Sequence, residues 1–302
     1  MTFSIGWEAE GHLDWIALTD ALEAGHRLPR AEIGDTFLYR GVDTVLSRAA
    51  WIDGLGIAVK TATIFPGNDA YDLPSIGGGV SLFEDVTGQL SAILDFRLVT
   101  KWKTAGDSLL AAKKLAPPQV KTILVVGAGT VARSVIEAYS AYYGTANFRI
   151  WNRSPEKAKA MEGDNVRAVS DLPSAVGEAD IIVSGTMSTE PVIKGEWITA
   201  GTHLDLIGAY RPDMREVDDT ALQKAELFVD SRATTIGHIG EIEIPLSQGV
   251  IAAADIRADY YDIASGKFAR SSPDAITISK NGGGAHLDLM TCAYIRDVVA
   301  KA

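Results

Sequence analysis

Cysteine is nearly absent from this sequence, since Cys292 is the only one in 302 residues. One thiol excludes an internal disulfide and a thiolate metal cluster, and the scarcity agrees with a reducing compartment. We interpret Cys292 as a buried structural thiol of a C-terminal helix and not as a nucleophile. The histidines His203 and His238 lie far apart without local ligand spacing, so we expect no metal site.

Long apolar runs and basic clusters are missing as well. No apolar stretch approaches the roughly 18 residues that span a bilayer, and the first ten residues lack the basic and apolar segments of a signal peptide. The 28 Lys and Arg against 39 Asp and Glu give a formal charge of −11, and the basic residues form no stripe or tail. The sequence therefore offers no basic surface that would attract nucleic acid or an anionic membrane. We expect a cytoplasmic enzyme of small molecules.

The first part of the chain mixes helical and β-rich patterns. Apolar residues at near-helical spacing predict a helix over about 12–24, and short β-rich runs follow from 35 to 65. Two further apolar runs flank Asp85–Gly88 as a predicted hairpin. Thr100 is expected to cap a helix that Pro117–Pro118 ends.

Beyond the two prolines, short apolar strands alternate regularly with helices. Such alternation is typical of a parallel, doubly wound sheet. Together with a length of 302 residues and a hydrophobic content of 47%, it predicts about two domains. We expect an α/β protein with a Rossmann-type doubly wound parallel sheet over 117–282, and a second α+β domain over 1–116 to which a C-terminal helix, 283–302, returns.

A glycine-rich turn directly follows the first of these strands. Residues 122–126 are an apolar run, and Gly127, Gly129 and Ala132 then occupy the positions of a GxGxxA motif at the start of a helix. A dinucleotide needs a tight turn, backbone close to its pyrophosphate and free N–H groups at a helix N-terminus. Because strand, turn and helix come in the required order, we predict a dinucleotide site. Its predicted residues are Gly127, Ala128, Gly129, Thr130 and Val131.

The end of the second strand lacks the acidic residue that binds the ribose 2′-hydroxyl of NAD. The sequence there reads Trp151, Asn152, Arg153, Ser154. A guanidinium at this place can pair with a 2′-phosphate and a serine can donate to it, so we predict that Asn152, Arg153 and Ser154 bind the cofactor and that NADP(H) is favoured over NAD(H). The alternative is that Arg153 stacks on the adenine without a phosphate.

Short motifs along the chain carry a family resemblance. Individually they are common, but their order is specific. They are Gly56–Lys60, Phe65–Asn68, Leu73–Ser75, Asp85–Gly88, Leu98–Ala105, Val126–Gly129, Ala179–Val183, Ile207–Ala209, Arg215–Asp218, Gly240–Glu241 and Gly283–Asp288. Over nearly its full length the chain resembles the ornithine cyclodeaminase/μ-crystallin family. The resemblance implies a homodimer, and it makes the N-terminal part with the returning helix the substrate-binding and dimerisation domain.

The resemblance also assigns roles to residues of this sequence. Lys60 matches the active-site lysine, and Ser75 matches a threonine that lines the substrate pocket. Lys103 matches an arginine that holds the substrate carboxylate, together with an upstream arginine for which Arg30 is the first candidate and Arg40 the second. A C=N–C–COO⁻ substrate needs such cations for its carboxylate and a proton donor near its nitrogen.

One departure from the family bears on the reaction. Cyclodeaminases of the family have an aspartate after the Ile-Gly-Ala turn, where this chain has Tyr210; Gly208 in the same turn is assigned to the cofactor. A phenol, with a reference pKa of about 10, cannot act as that base near neutral pH. Asp205 and Asp213 are nearby carboxylates that could replace it. Tyr210 itself is a candidate catalytic residue, as a proton donor.

We therefore predict NADPH-dependent reduction of a cyclic ketimine carboxylate, either Δ1-pyrroline-2-carboxylate to L-proline or its piperideine analogue. Arg30 and Lys103 are expected to anchor the carboxylate, and Lys60 to donate a proton or polarise the imine. Two alternatives within the family are an ornithine cyclodeaminase that releases ammonia with NAD and an alanine-type amino-acid dehydrogenase. A third is a crystallin-like nucleotide-binding protein without turnover. An imino or amino acid is the expected small-molecule partner.

Overall fold

The structure is a computed structural model that describes residues 2–302. Its contacts divide the chain into two compact units. The first unit comprises residues 2–103 and Gly284–Ala302, and the second unit comprises Thr104–Gly283. No helix within residues 2–302 is long and apolar enough to cross a membrane.

A mostly antiparallel sheet forms the first unit. Its strands are β1 (Phe3–Ile5), β2 (Glu32–Arg40), β3 (Asp43–Ile52), β4 (Gly56–Ile64), β5 (Ile76–Phe83) and β6 (Leu90–Asp95). They lie in the order β1-β6-β5-β4-β3-β2, with β1 parallel to β6 and the other pairs antiparallel. The antiparallel pairing of β5 with β6 confirms the predicted hairpin. The β-rich stretch over 35–65 resolves into three strands of 9, 10 and 9 residues.

Two helices, α1 (Trp15–Gly25) and α9 (Ala285–Val299), lie wholly within the first unit. The Asp14 carboxylate caps α1 by accepting from the Ala17 N–H at 2.8 Å. Gly25 lies against α9, because a Cβ there would meet the side chain of Met290. Nearly every residue in the first two turns of α9 is buried, so the helix forms part of the unit's core.

The helix α2 (Phe96–Leu115) begins earlier than the sequence analysis placed it. Asp95 accepts hydrogen bonds from the N–H groups of Arg97 and Leu98 at 2.8 and 2.9 Å. Thr100 lies inside the helix, where its hydroxyl donates to the Phe96 carbonyl at 2.7 Å. The prediction of Thr100 as the cap was therefore wrong, because the Asp95 carboxylate satisfies the free N–H groups one turn earlier.

The division between the units falls inside α2, before the prolines at which the sequence placed it. Trp102 stacks on Trp15 of the first unit, with 3.8 Å between ring centroids. Further along, the Ser108 hydroxyl lies 2.8 Å from the Tyr139 hydroxyl of the second unit. The helix thus contributes its first turns to one core and its later turns to the other, and a proline signal cannot mark such a change.

Strands and helices alternate through the second unit. The strands are β7 (Thr122–Val126), β8 (Asn147–Trp151), β9 (Val166–Ala168), β10 (Ile181–Ser184), β11 (His203–Leu206), β12 (Glu226–Val229), β13 (Ile256–Ala258) and β14 (Thr277–Lys280). The helices are α3 (Thr130–Tyr142), α4 (Pro155–Lys159), α5 (Leu172–Gly177), α6 (Asp219–Lys224), α7 (Arg232–Thr235) and α8 (Gly240–Ser247). Short 3-10 helices cover Trp7–His12, Pro66–Tyr71, Gly195–Trp197, Ala253–Asp255 and Tyr260–Ser265.

The strand order of the second unit is β13-β12-β14-β11-β10-β7-β8-β9. Every neighbouring pair is parallel, which confirms the predicted Rossmann-type doubly wound sheet. The sequence analysis missed β14, which lies between β11 and β12. Its residues are fully buried although three of the four are polar, so the apolar pattern that predicts strands does not mark it.

Candidate functional site

The glycine turn joins β7 to α3. Gly127 has φ +111°, which L side chains rarely adopt, and its N–H donates to the Trp151 carbonyl at 2.8 Å. A Cβ on Gly127 would lie 3.1 Å from the carbonyl oxygen of Gly185. Gly129 is the N-cap of α3, and a Cβ there would point into open space. A phosphate group can therefore approach the backbone at the start of this 13-residue helix, as a dinucleotide requires.

A cavity of about 410 Å³ opens beside this turn. It brings together segments that follow β7, β8 and β10 at the carboxyl edge of the sheet, where ligands of doubly wound folds bind. Its lining residues are Gly127, Ala128, Gly129, Trp151, Asn152, Arg153, Ser154, Lys157, Gly185, Thr186, Met187, Ser188 and Val192. Six predicted cofactor residues are among them. Thr130, Val131 and Gly208 are not, and their role in cofactor binding stays a prediction.

The end of the cavity after β8 is cationic. Arg153 and Ser154 are exposed, and the Asn152 amide donates to the Ser154 carbonyl at 3.0 Å. Lys157 on α4 lines the same cavity, although the sequence analysis did not propose it. Its spacing of four residues from Arg153 was the available signal. No acidic residue of the described chain lines this cavity, so the local charge favours an anionic ligand.

Lys60 lies on β4, in the interior of the first unit's sheet. Its side chain is buried, with 7% of the residue exposed, and β4 lies between β5 and β3. The ammonium group donates to Asp288 Oδ1 at 2.9 Å and lies 4.9 Å from the ring centroid of Phe96. Asp288, on α9, is 2% exposed. The sequence analysis quoted its motif without giving it a role; the ion pair joins residues 228 positions apart.

The other predicted substrate residues lie on different elements of the first unit. Ser75 directly precedes β5, and its hydroxyl donates to Asp69 Oδ1 at 3.2 Å. Arg30 follows α1 and is exposed, whereas Lys103 is half-buried on α2. Arg40, the second candidate for the upstream arginine, forms an ion pair with Asp43 at 2.9 Å. Their substrate contacts stay predictions.

Tyr210 follows β11 in the second unit and is 58% exposed. The two carboxylates considered as substitutes for the missing base are already engaged. Asp205 is fully buried and accepts from the Tyr139 hydroxyl at 2.5 Å, with His203 Nε2 at 3.1 Å. Asp213 pairs with Arg211 at 2.9 Å, and this hydrogen bond lowers the pKa of the carboxyl. Both carboxylates therefore already accept hydrogen bonds from neighbouring side chains.

The remaining groups with possible reactivity are potential metal ligands and the thiol of Cys292. No group of three His, Cys, Asp or Glu side chains within residues 2–302 is arranged to hold a metal ion. Cys292 is buried on α9, and burial raises the pKa of its thiol. A protonated thiol without access to solvent is a poor nucleophile.

A match to the ornithine cyclodeaminase/mu-crystallin family covers residues 51–302. The chain is 49% identical over 302 residues to Δ1-pyrroline-2-carboxylate reductase of Paracoccus denitrificans (strain Pd 1222), with 97% of this chain and 95% of that protein covered. The structure of Thermococcus litoralis Δ1-pyrroline-2-carboxylate reductase in complex with NADH and L-proline matches with a TM-score of 0.90 at 25% identity, covering 99% of this chain and 98% of that one. An archaeal alanine dehydrogenase dimer with bound NAD matches with a TM-score of 0.89 at 26% identity, covering 99% and 96%. The chain therefore belongs to the ornithine cyclodeaminase/mu-crystallin family.

Proposed function

We propose that this protein is a nicotinamide-dependent oxidoreductase that reduces Δ1-pyrroline-2-carboxylate to L-proline. The observation that carries the proposal is the 49% identity, over 97% of the chain, to the Paracoccus enzyme of that name. The Thermococcus relative, described with NADH and L-proline, supports the same substrate and cofactor class. When bound, the nicotinamide supplies the hydride that adds to the imine carbon. The glycine turn and the open N-terminus of α3 fit its pyrophosphate.

Lys60 is the proton donor in this proposal. Reduction of the C=N bond requires a proton on nitrogen as the hydride reaches carbon. Asp288 compensates the buried ammonium charge and holds the group in one direction, at 2.9 Å. Without such a partner a buried ammonium is strongly disfavoured. Asp288 is therefore a positioning residue for Lys60, while Arg30, Lys103 and Ser75 hold the substrate.

The proposed cofactor is NADP(H) in preference to NAD(H). Arg153 and Lys157 both line the cavity end that follows β8, and Ser154 adds a hydroxyl donor. Charge-assisted hydrogen bonds to a 2′-phosphate are the natural use of such a cluster. The absence of an acidic residue from the cavity's lining, within residues 2–302, removes the usual partner of an unphosphorylated ribose.

A substrate assay distinguishes reduction from cyclodeamination. We expect the protein to oxidise NADPH with Δ1-pyrroline-2-carboxylate and to release no ammonia from ornithine with catalytic NAD. The reason is that cyclodeamination needs a base to deprotonate the amine, whereas this chain has the phenol of Tyr210 where the cyclodeaminases have a carboxylate. Asp205 and Asp213 already accept hydrogen bonds from other side chains. Efficient ammonia release by the unmodified protein would show a cyclodeaminase instead.

The proposed assembly is a homodimer through β2. This strand is the edge of the first unit's sheet, and all nine of its residues are exposed. Ile33, Phe37 and Tyr39 share one face with Asp35 by strand alternation, and the Asp35 carboxylate is paired with Arg48 at 2.9 Å. The Phe37 and Tyr39 rings lie parallel with 6.1 Å between centroids. A long apolar edge strand without a partner is prone to pair with another chain. A second copy of this chain is the proposed occupant, and the archaeal alanine dehydrogenase relative is itself described as a dimer.

Phe37→Glu is expected to convert the dimer into a monomer, because it replaces an exposed aromatic ring of this face with a charge that Arg48, already paired with Asp35, does not neutralise. Sedimentation velocity at micromolar concentration measures the change. Val86→Glu is the matched control, since Val86 is 93% exposed at the β5–β6 turn of the same unit, and it should leave the mass unchanged. If the Phe37→Glu protein is folded and still dimeric, the interface lies elsewhere.

A further inference from the structure

The carboxylate of Glu216 is the most heavily hydrogen-bonded side chain near the cofactor cavity. It is fully buried. Oε1 accepts from the Ser184 hydroxyl at 2.6 Å, the Thr186 N–H at 2.8 Å and the Thr186 hydroxyl at 3.0 Å. Oε2 accepts from the N–H groups of Gly208 and Ala209 at 2.7 and 3.1 Å. Five donors around one buried carboxylate compensate its loss of hydration.

These donors belong to two turns at the carboxyl edge of the sheet. Ser184 is the last residue of β10 and Thr186 follows it, and Gly208 and Ala209 follow β11. The segment Gly185–Ser188 after β10 is one wall of the cofactor cavity. The carboxylate of Glu216 therefore ties that wall to the neighbouring turn.

The backbone around Glu216 holds the same wall. The N–H groups of Val192 and Ile193 donate to the Glu216 carbonyl at 2.9 and 3.0 Å, and the Arg215 N–H donates to the Ser188 carbonyl at 2.9 Å. Gly208 packs so closely on the backbone of Thr186 that a Cβ would not fit. Thr186 and Ser188, near the two ends of the wall, are thus hydrogen-bonded to the consecutive buried residues Arg215 and Glu216.

The charged neighbours of Glu216 explain how its carboxylate can remain buried. Glu241 accepts from the N–H groups of Glu216 and Val217 at 2.7 and 3.2 Å. Burial, followed by the charge of Glu216, raises the pKa of Glu241 to about 7, and Lys280 opposes the shift. Lys280 is fully buried and donates to the Leu206 carbonyl at 2.7 Å. A positive charge and a readily protonated neighbour reduce the cost of the negative charge on Glu216.

We propose that Glu216 is a positioning residue for the cofactor, which sets the Gly185–Ser188 wall at the distance from the glycine turn that the nucleotide requires. The Gly185–Ser188 wall and the glycine turn are already close together, since a Cβ on Gly127 would lie 3.1 Å from the Gly185 carbonyl oxygen. A shift of the Gly185–Ser188 wall changes the width of the cofactor cavity. Displacements of about 1 Å in a binding site have large effects on its function. This role deepens the proposed function and rests on it for the identity of the nucleotide.

Glu216→Gln tests the role with an isosteric change. An amide keeps one acceptor oxygen and presents two donors to N–H groups, so part of the five-bond arrangement is lost. We expect the dissociation constant for NADPH, from fluorescence titration, to rise about tenfold or more. The KM for NADPH should rise in parallel while kcat at saturating NADPH changes by less than about threefold, a split that general destabilisation does not produce.

Two further variants make the test decisive. Glu178→Gln is the control, because Glu178 is exposed in the same unit, pairs with Arg149 and does not line the cavity. Ser184→Ala removes a single donor from the carboxylate without touching the cavity, and it should raise the dissociation constant about threefold or more. If circular dichroism shows that the Glu216→Gln protein is unfolded, the dissociation constant of Ser184→Ala alone tests the proposal.

A folded Glu216→Gln protein with the wild-type dissociation constant would overturn the inference, as would wild-type affinity in Ser184→Ala where the Gln variant does not fold. Failure of the proposed function gives a different result. In that case the wild-type protein binds NADPH but does not oxidise it with Δ1-pyrroline-2-carboxylate, and the dissociation constants of the variants still decide the role of Glu216. Wild-type protein that binds neither NADPH nor NADH would overturn both.

Discussion

Lys60→Met is expected to lower kcat for reduction of Δ1-pyrroline-2-carboxylate by about a hundredfold to ten-thousandfold, the usual contribution of a positioned proton donor. Methionine fills a similar volume but carries no proton to transfer. The dissociation constant for NADPH should stay within about twofold, because the residues that line the nucleotide cavity belong to the second unit. A rate assay and a fluorescence titration on the same preparation measure both quantities.

Two companion variants separate proton donation from packing. Asp288→Asn keeps the shape of the side chain that holds the Lys60 ammonium at 2.9 Å but removes its charge, so we expect kcat to fall about tenfold or more with unchanged NADPH binding. Lys121→Met is the control: it makes the same Lys-to-Met change at an exposed lysine and should leave kcat unaltered. Near-normal turnover by Lys60→Met would mean that the buried lysine has only a structural role.

Arg153→Ala and Lys157→Ala are each expected to reduce the preference for NADPH over NADH by roughly tenfold to a hundredfold. Loss of one charge-assisted contact costs about 1.5 to 3 kcal/mol, which corresponds to that range. The ratio of kcat/KM for the two cofactors measures the change. Values for NADH should hardly move, since it lacks the phosphate that both side chains are proposed to bind.

Lys159→Ala provides the matched control for these two variants. Lys159 is also exposed on α4, but it pairs with Glu156 at 3.2 Å and does not line the cavity. Its removal changes the net charge by the same amount, so any general electrostatic effect on an anionic cofactor appears there too. If both Arg153→Ala and Lys157→Ala keep the wild-type preference for NADPH over NADH, these residues do not bind a 2′-phosphate.

The nucleotide site was predictable because its parts are contiguous in the chain. A β-strand, a glycine turn and a helix follow one another within residues 122–142, and the strand that ends at Trp151 is the next along. Local hydrogen bonding and the conformational freedom of Gly127 determine this geometry, so a motif reports it without knowledge of distant residues. Lys157 lies outside this motif, on α4, and reaches the cavity because that helix begins directly after Arg153 and Ser154.

The sequence by itself determined the α/β alternation, the parallel sheet that follows from it, and the cavity's glycine and Arg153 segments. Only the tertiary structure decided that Asp288 meets Lys60 and that Glu216 accepts five hydrogen bonds from two distant segments. Periodicity and motifs describe neighbours along the chain. Buried charges, in contrast, are stabilised by partners that folding brings from anywhere in the sequence, and a polar strand such as β14 is accepted in the core only where those partners surround it.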